Sequence, residues 1–173
     1  VSLTQYATPF EQKEIMKADL GMFVQDQWAV RRLTLNYGLR FDYFNAFVPA
    51  QRVAAGAFVP ERNFGAVHGV PLWKDVSPRF GAVYDLLGNG RTALKVSLGR
   101  YLGTTAVDIA QANNPMVTSV VSVNRSWADA DSDFVPDCDL TNPAQNGECG
   151  AYADQNFGKL NPRATSYADD VLR

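Results

Sequence analysis

From Leu33 to Tyr43 large apolar residues occupy every odd position, and polar residues or glycine occupy every even one. Leu33, Leu35, Tyr37, Leu39, Phe41 and Tyr43 alternate with Thr34, Asn36, Gly38, Arg40 and Asp42. Successive side chains of a strand point to opposite faces, so this run has one apolar face and one polar face. Extended, Arg32 to Tyr43 reaches about 40 Å, or about 28 Å along a membrane normal at a tilt near 45°. That matches the hydrocarbon thickness of a bilayer and exceeds the usual strand of about 5–6 residues in a soluble sheet. The run predicts a membrane-spanning β-strand.

Three further strands follow the same rule. Within Asp19–Trp28, Leu20, Met22, Val24 and Trp28 oppose Gly21, Gln25 and Gln27, while Phe23 and Asp26 fall out of phase. Val30-Arg31-Arg32 breaks the pattern before the strand described above, which makes a first hairpin over Leu20–Tyr43. In the third strand Phe80, Ala82, Tyr84 and Leu86 oppose Arg79, Gly81 and Asp85, with Val83 as an apolar exception. Gly88-Asn89-Gly90 is a tight-turn signal, because both residue types tolerate positive φ. Thr92–Tyr101 then sets Leu94, Val96 and Leu98 against Lys95, Ser97 and Gly99, closing a second hairpin over Arg79–Tyr101.

Phe44–Lys74 carries Pro49, Pro60 and Pro71 with no sustained period, and the chain after Leu102 reads as loop. Val117–Val123 is the exception there, a β-branched run able to extend a hairpin. Tight turns at one end and long connections at the other are the asymmetry of bacterial outer-membrane barrels. The fold class expected is all-β: antiparallel, long-stranded hairpins from a barrel wall, with long irregular loops. Trp28 near one end, with Tyr43 and Phe44 at the other, suits the aromatic girdles of such walls. The competing reading is an extracellular or periplasmic β-sandwich module for binding or adhesion, which also alternates but packs its apolar face inward.

Bulk composition permits either. Of 173 residues 46% are hydrophobic and 20% charged, with a net charge of −2. No run of 18 apolar residues offers a transmembrane helix, and barrel strands never produce one. The near-neutral balance argues against a nucleic-acid partner, which would want a clustered basic face. Val1–Tyr6 has no basic n-region leading into an apolar core, so no signal peptide is expected; the chain is then cytoplasmic or an internal piece of a longer one.

The chemistry is sparse. His68, the single histidine, has no neighbouring cysteine or second histidine and reads as a solvated loop residue. Gly88-Asn89-Gly90-Arg91-Thr92 lacks the spacing and following helix of a phosphate loop. The stretches around Ser77, Ser97 and Ser119 form no nucleophile elbow. No enzyme is expected, and no cofactor beyond one metal candidate. Asp129, Asp131, Asp133, Asp137 and Asp139 place five carboxylates within eleven residues. Spacing by two suits Asp129, Asp131 and Asp133 as oxygen donors to calcium, with Asp137 or Asp139 assisting. The EF-hand pattern fails, because Phe134 stands at its glycine and Leu140 at its glutamate. A solvated acidic loop is the alternative.

Val24-Gln25-Asp26-Gln27-Trp28 followed by Leu33–Asp42 resembles the "QD-x-W … L-x-L-x-x-G-L-R-x-[DE]" hairpin of TonB-dependent outer-membrane receptors. Ser77–Asp85 with Gly88–Lys95 resembles the next hairpin of that family, and Gly99-Arg100-Tyr101 its usual end. Asp133–Pro143, Gly147–Gly150 and Asn156–Gly158 are similar to a long loop of Oar-like receptors. The resemblance implies one partial barrel domain over 1–173, with about four spanning strands within 19–101 and extracellular loops over 102–173. It implies a bacterial outer-membrane location, lipid around the wall, and a complete barrel of about 22 strands around a plug. It also implies energised uptake of a bulky ligand driven by a TonB complex, through parts absent from this sequence. In an extracellular loop that folded through an oxidising periplasm, Cys138 and Cys149 are expected to pair.

Overall fold

The computed structural model describes every residue except Thr104, Ser166, Ala168 and Arg173, with Asp169 and Asp170 described as backbone alone. In chain order its elements are β1 (Ser2–Tyr6), β2 (Ile15–Val30), β3 (Leu33–Val48), β4 (Gln51–Val53), β5 (Arg62–Phe64), β6 (Val67–Asp85), β7 (Ala93–Gly99), α1 (Asp108–Ala112), β8 (Ser122–Ser126) and α2 (Asp169–Leu172). Three long strands, β2, β3 and β6, form one antiparallel sheet with β7 in the order β2–β3–β6–β7; β7 has seven residues, shorter than the expected Thr92–Tyr101. Arg31 and Arg32 make the first tight turn, with Arg31 in the left-handed region at φ 54°. In the second, the N–H groups of Gly88 and Gly90 each donate to the Asp85 carboxylate at 2.9 Å. Both glycines have positive φ, 69° and 71°, the conformation that favours glycine there.

Register sets the two faces. Val30, Trp28, Asp26, Val24, Met22 and Leu20 lie opposite Leu33, Leu35, Tyr37, Leu39, Phe41 and Tyr43. Those pair in turn with Tyr84, Ala82, Phe80, Pro78, Val76 and Lys74 of β6, and Leu94, Val96 and Leu98 extend the rows onto β7. From the Val30 row to the Leu20 row is about 23 Å along the normal at 45° tilt, close to the 25 Å apolar band of a barrel wall. Among the described residues nothing covers this face: Val24 is 69% exposed and Leu98 68%. A β-sandwich would bury those side chains under a second sheet, and the described residues form none over this face. No helix among the described residues is long and apolar enough to cross a membrane.

Buried cores lie beyond the spanning rows. Phe44, Ala46, Val48 and Val70 pack with Ile109 and Ala110 of α1 and with Leu172. Phe44 is therefore an inward core residue, its ring 5.9 Å from that of Trp73, while Tyr43 lies on the other face in the Leu20 row. A second cluster joins Ala7 and Val59 with Val123 of β8 and with Tyr152 and Phe157 beyond it.

Several boundaries differ from the sequence reading. β2 and β3 are each 16 residues long, and β6 begins at Val67, twelve residues before the expected Arg79. Gly69 and Pro71 disguised that first part of β6, being residues that strands usually exclude. His68 is consequently a strand residue, stacked on Phe47 with ring centroids 5.7 Å apart. The β-branched run near Val117–Val123 extends no local hairpin: β8 pairs with β1, Ser2 lying opposite Ser126.

Candidate functional site

Two polar assemblies carry what chemistry the chain has: the polar face of the sheet, and the folded loop region above it. On the sheet, Arg40 reaches along its own strand to Asp42, with Nη2 2.8 Å and Nε 2.9 Å from Oδ1. The guanidinium lies across Gly21 of β2, where any Cβ would collide with it. Arg100 grips Asp75 at 2.6 Å as the chain leaves β7. Gln25, Asn36, Arg40, Arg79 and Tyr101 line a shared hollow of about 710 Å³. These groups hold polar surface open; no nucleophile stands beside a general base among them.

In the loop region, β8 presents Arg125, which is buried. Its Nε donates to the Gly150 carbonyl at 2.8 Å, Nη1 to Asn142 at 3.3 Å and Nη2 to Ala144 at 3.1 Å. The same guanidinium lies over the Tyr152 ring, 5.0 Å from its centre. Cys138 and Cys149 form a disulfide with their Cα atoms 5.9 Å apart, closing the segment that wraps Arg125. Nothing in the local pattern around Arg125 singled it out, since its acceptors are backbone carbonyls 17 to 25 residues away.

The acidic residues divide. Asp129 and Asp131 converge with Glu148, one carboxylate oxygen of each lying within 4.8 Å of the others. Glu148 lies beyond the local spacing and was not among the expected donors. Asp133, Asp137 and Asp139 do not join this cluster. Asp133 instead accepts from the Val135 N–H at 2.7 Å, and Asp139 from the Thr141 N–H and hydroxyl at 2.8 and 2.6 Å. Asp129 accepts from the N–H groups of Asp133 and Phe134, both at 3.2 Å. Glu148 accepts from Ala130 N–H at 2.6 Å, the Trp127 indole at 3.1 Å and Asp137 N–H at 3.2 Å. The work these carboxylates visibly perform is to satisfy backbone donors of an irregular loop.

Their electrostatics follow. Donation from Ala130, then from Trp127 and Asp137, holds Glu148 below the usual carboxylate range. The Thr141 hydroxyl and N–H lower Asp139 in the same way. Asp137 is raised, because the charges of Asp131 and then Asp133 oppose its ionisation.

Comparison with known proteins agrees with this geometry. The model of the family described as "Outer membrane beta barrel domain" matches residues 1–170. The chain is similar to the TonB-dependent transporter Oar of Myxococcus xanthus, 28% identical over 121 residues. That match covers 69% of this chain and 10% of the relative, so the chain spans about a tenth of its length. No solved structure matches. With an uncovered apolar face of spanning height and nearly its whole length matched by the family's model, the chain belongs to the outer membrane β-barrel domain family.

Proposed function

We propose that the chain is a wall segment of a TonB-dependent transporter, one partial barrel domain of a larger protein that takes up a bulky ligand. The observation that carries this reading is the asymmetry of the sheet: its four strands, three of them 16 to 19 residues long, meet in tight turns at one end and in a disulfide-closed loop body at the other. In bacterial barrels short turns face the periplasm and long loops the exterior. The apolar face then meets lipid, and the polar face with Arg40, Asp42 and Arg79 lines the lumen. The role is transport, not catalysis. Likeness to a TonB-dependent transporter supports TonB as the energy-coupling partner.

Labelling of intact cells producing the full-length protein tests the orientation. Cysteine placed by Ala130→Cys should react with a membrane-impermeant maleimide, while Asn89→Cys should react only after the outer membrane is permeabilised. The reverse pattern overturns the orientation. Energy coupling is tested separately by site-specific crosslinking of the full-length protein to TonB in cells; absence of any TonB adduct across its periplasmic face removes that part of the reading.

A further inference from the structure

Ser77 is 2% exposed, and its hydroxyl has no hydrogen-bond partner among the described residues. A buried polar atom left in that state calls for an explanation. Ser77 lies on the polar face of β6, opposite Arg40 of β3 and two residues before Arg79 on its own strand. β6 is an inner strand, with β3 on one side and β7 on the other, where Arg79 lies opposite Gly99. A further strand of the barrel would add at an outer edge of the sheet and would not reach this position. The missing partner therefore comes from the polar side. That side is hollow here: a cavity of about 640 Å³ is lined by Ser77, Arg40 and Arg79.

The charges along the hollow are unevenly committed. Asp42 holds Arg40, and Arg100 holds Asp75 at 2.6 Å, so these two carboxylates are neutralised where they stand. Arg79 has no carboxylate oxygen within 4.0 Å among the described residues. It rests against the Tyr101 ring instead, with glycine opposite it on both neighbouring strands. The two groups left over, a hydroxyl and a guanidinium, both donate hydrogen bonds. What they lack is an anionic acceptor. Toward the loop body the lining turns apolar, with Phe44, Trp73 and Leu102. The Trp73 indole is fixed there by donating to the Val171 carbonyl at 2.7 Å. An apolar wall with a few convergent donors is the usual build of a small-molecule pocket.

We propose that Ser77 and Arg79 form a subsite for the carboxylate of an amphipathic ligand, whose apolar body lies against Phe44 and Trp73. A guanidinium takes a carboxylate through two parallel N–H donors, and the serine hydroxyl supplies a third. Asp19, Asp42 and Asp75 in the same lining oppose a second negative charge, which selects a monoanion over a phosphate-type dianion. That the hollow opens to the lumen rests on the function proposed above.

The test uses the full-length protein in nanodiscs and para-fluorophenylpropionate as probe, followed by fluorine NMR. The acid should bind saturably, and the corresponding amide about tenfold more weakly. Arg79→Gln should weaken binding of the acid about tenfold and Ser77→Ala about threefold. Ser77→Ala leaves the Arg79–Tyr101 pair intact, so it decides the matter if Arg79→Gln fails to assemble. Equal binding of acid and amide, unchanged binding in Ser77→Ala, or tighter binding of para-fluorophenylphosphonate overturns the proposal. So does a photocrosslinker at Tyr101 that captures another segment of the same protein, since the acceptor is then a side chain. If an aqueous maleimide reaches Asn36→Cys and the acid does not bind, the subsite alone falls. If the acid binds and the maleimide cannot reach Asn36→Cys, the subsite stands and its lumenal placement falls.

Discussion

Arg79 of β6 holds its guanidinium carbon 4.8 Å from the ring centre of Tyr101. It can do so because Arg79 lies opposite Gly38 on one side and Gly99 on the other, so neither neighbouring strand raises a side chain beside it. Tyr101 folds back over Gly99, where an added Cβ would meet the ring at 3.0 Å. Two glycines thereby leave space on the polar face for a cation–aromatic pair. Tyr101→Leu should destabilise the full-length barrel by about 0.5–1 kcal/mol. Gly99→Val should displace the same ring, and the double variant should cost less than the sum, measured by denaturant unfolding in lipid vesicles.

Leu39 sits among Val24, Pro78 and Phe41 near the middle of the apolar band. Leu39→Arg should cost roughly 2–4 kcal/mol in vesicles, whereas Asn36→Arg on the other face should change stability little. Spin labels should give the matching picture: labels at Leu35, Leu39 and Phe41 relaxed by oxygen, labels at Asn36 and Arg40 by aqueous reagents. Exchange of the two patterns would place the register one residue out.

Arg125 organises the loop body through carbonyls of Asn142, Ala144 and Gly150. Arg125→Met retains volume but leaves those acceptors unpaired, at a cost of about 2–4 kcal/mol. The readout is faster amide exchange over 142–152 with the spanning strands unchanged.

The disulfide between Cys138 and Cys149 encloses ten residues. Replacing both with serine should cost the loop body on the order of 2–3 kcal/mol. Mass mapping of nonreduced peptides should find the crosslink, and protease susceptibility of 138–149 should rise in the double variant.

Acidification should loosen the loop at Glu148. Its carboxylate ionises more readily when folded than when unfolded, since Ala130, Trp127 and Asp137 donate to it. Its contribution is therefore present above the unfolded value and lost as pH falls through the folded one. Asp137 acts with opposite sign: it is raised, so its protonation relieves repulsion from Asp131 and Asp133. Protection of the Ala130 amide, corrected for intrinsic exchange, should fall through the acid range in the wild type. Glu148→Gln should be less protected at neutral pH and should flatten that dependence.

Spanning strands were legible because alternation is local: Leu33–Tyr43 announces its two faces without reference to any other segment. Where local rules are broken the sequence was silent. The start of β6 hides behind Gly69 and Pro71, and the register shift between Asn45 and Phe47 moves the upper rows out of simple period. Pairing between Ser2 and Ser126 spans almost three quarters of the chain and leaves no periodic trace. The acidic loop was visible as charge density, but Glu148, its principal acceptor, lies nine residues beyond Asp139. Arg125 shares that character: its partners are backbone carbonyls, which composition does not reveal.

Ala7, Val59 and Val123 come from three segments far apart in sequence yet pack into one cluster with Tyr152 and Phe157. Ala7 N–H also donates to the Val121 carbonyl at 2.8 Å, and the Gln51 amide to Asn114 at 3.0 Å, stitching the same connections together. The exposed surface around this buried cluster is therefore assembled from segments far apart in sequence. Antibodies raised against the native protein should recognise little in linear peptides from any one connection. A graft meant to transfer this surface to another barrel would have to carry all three segments at once.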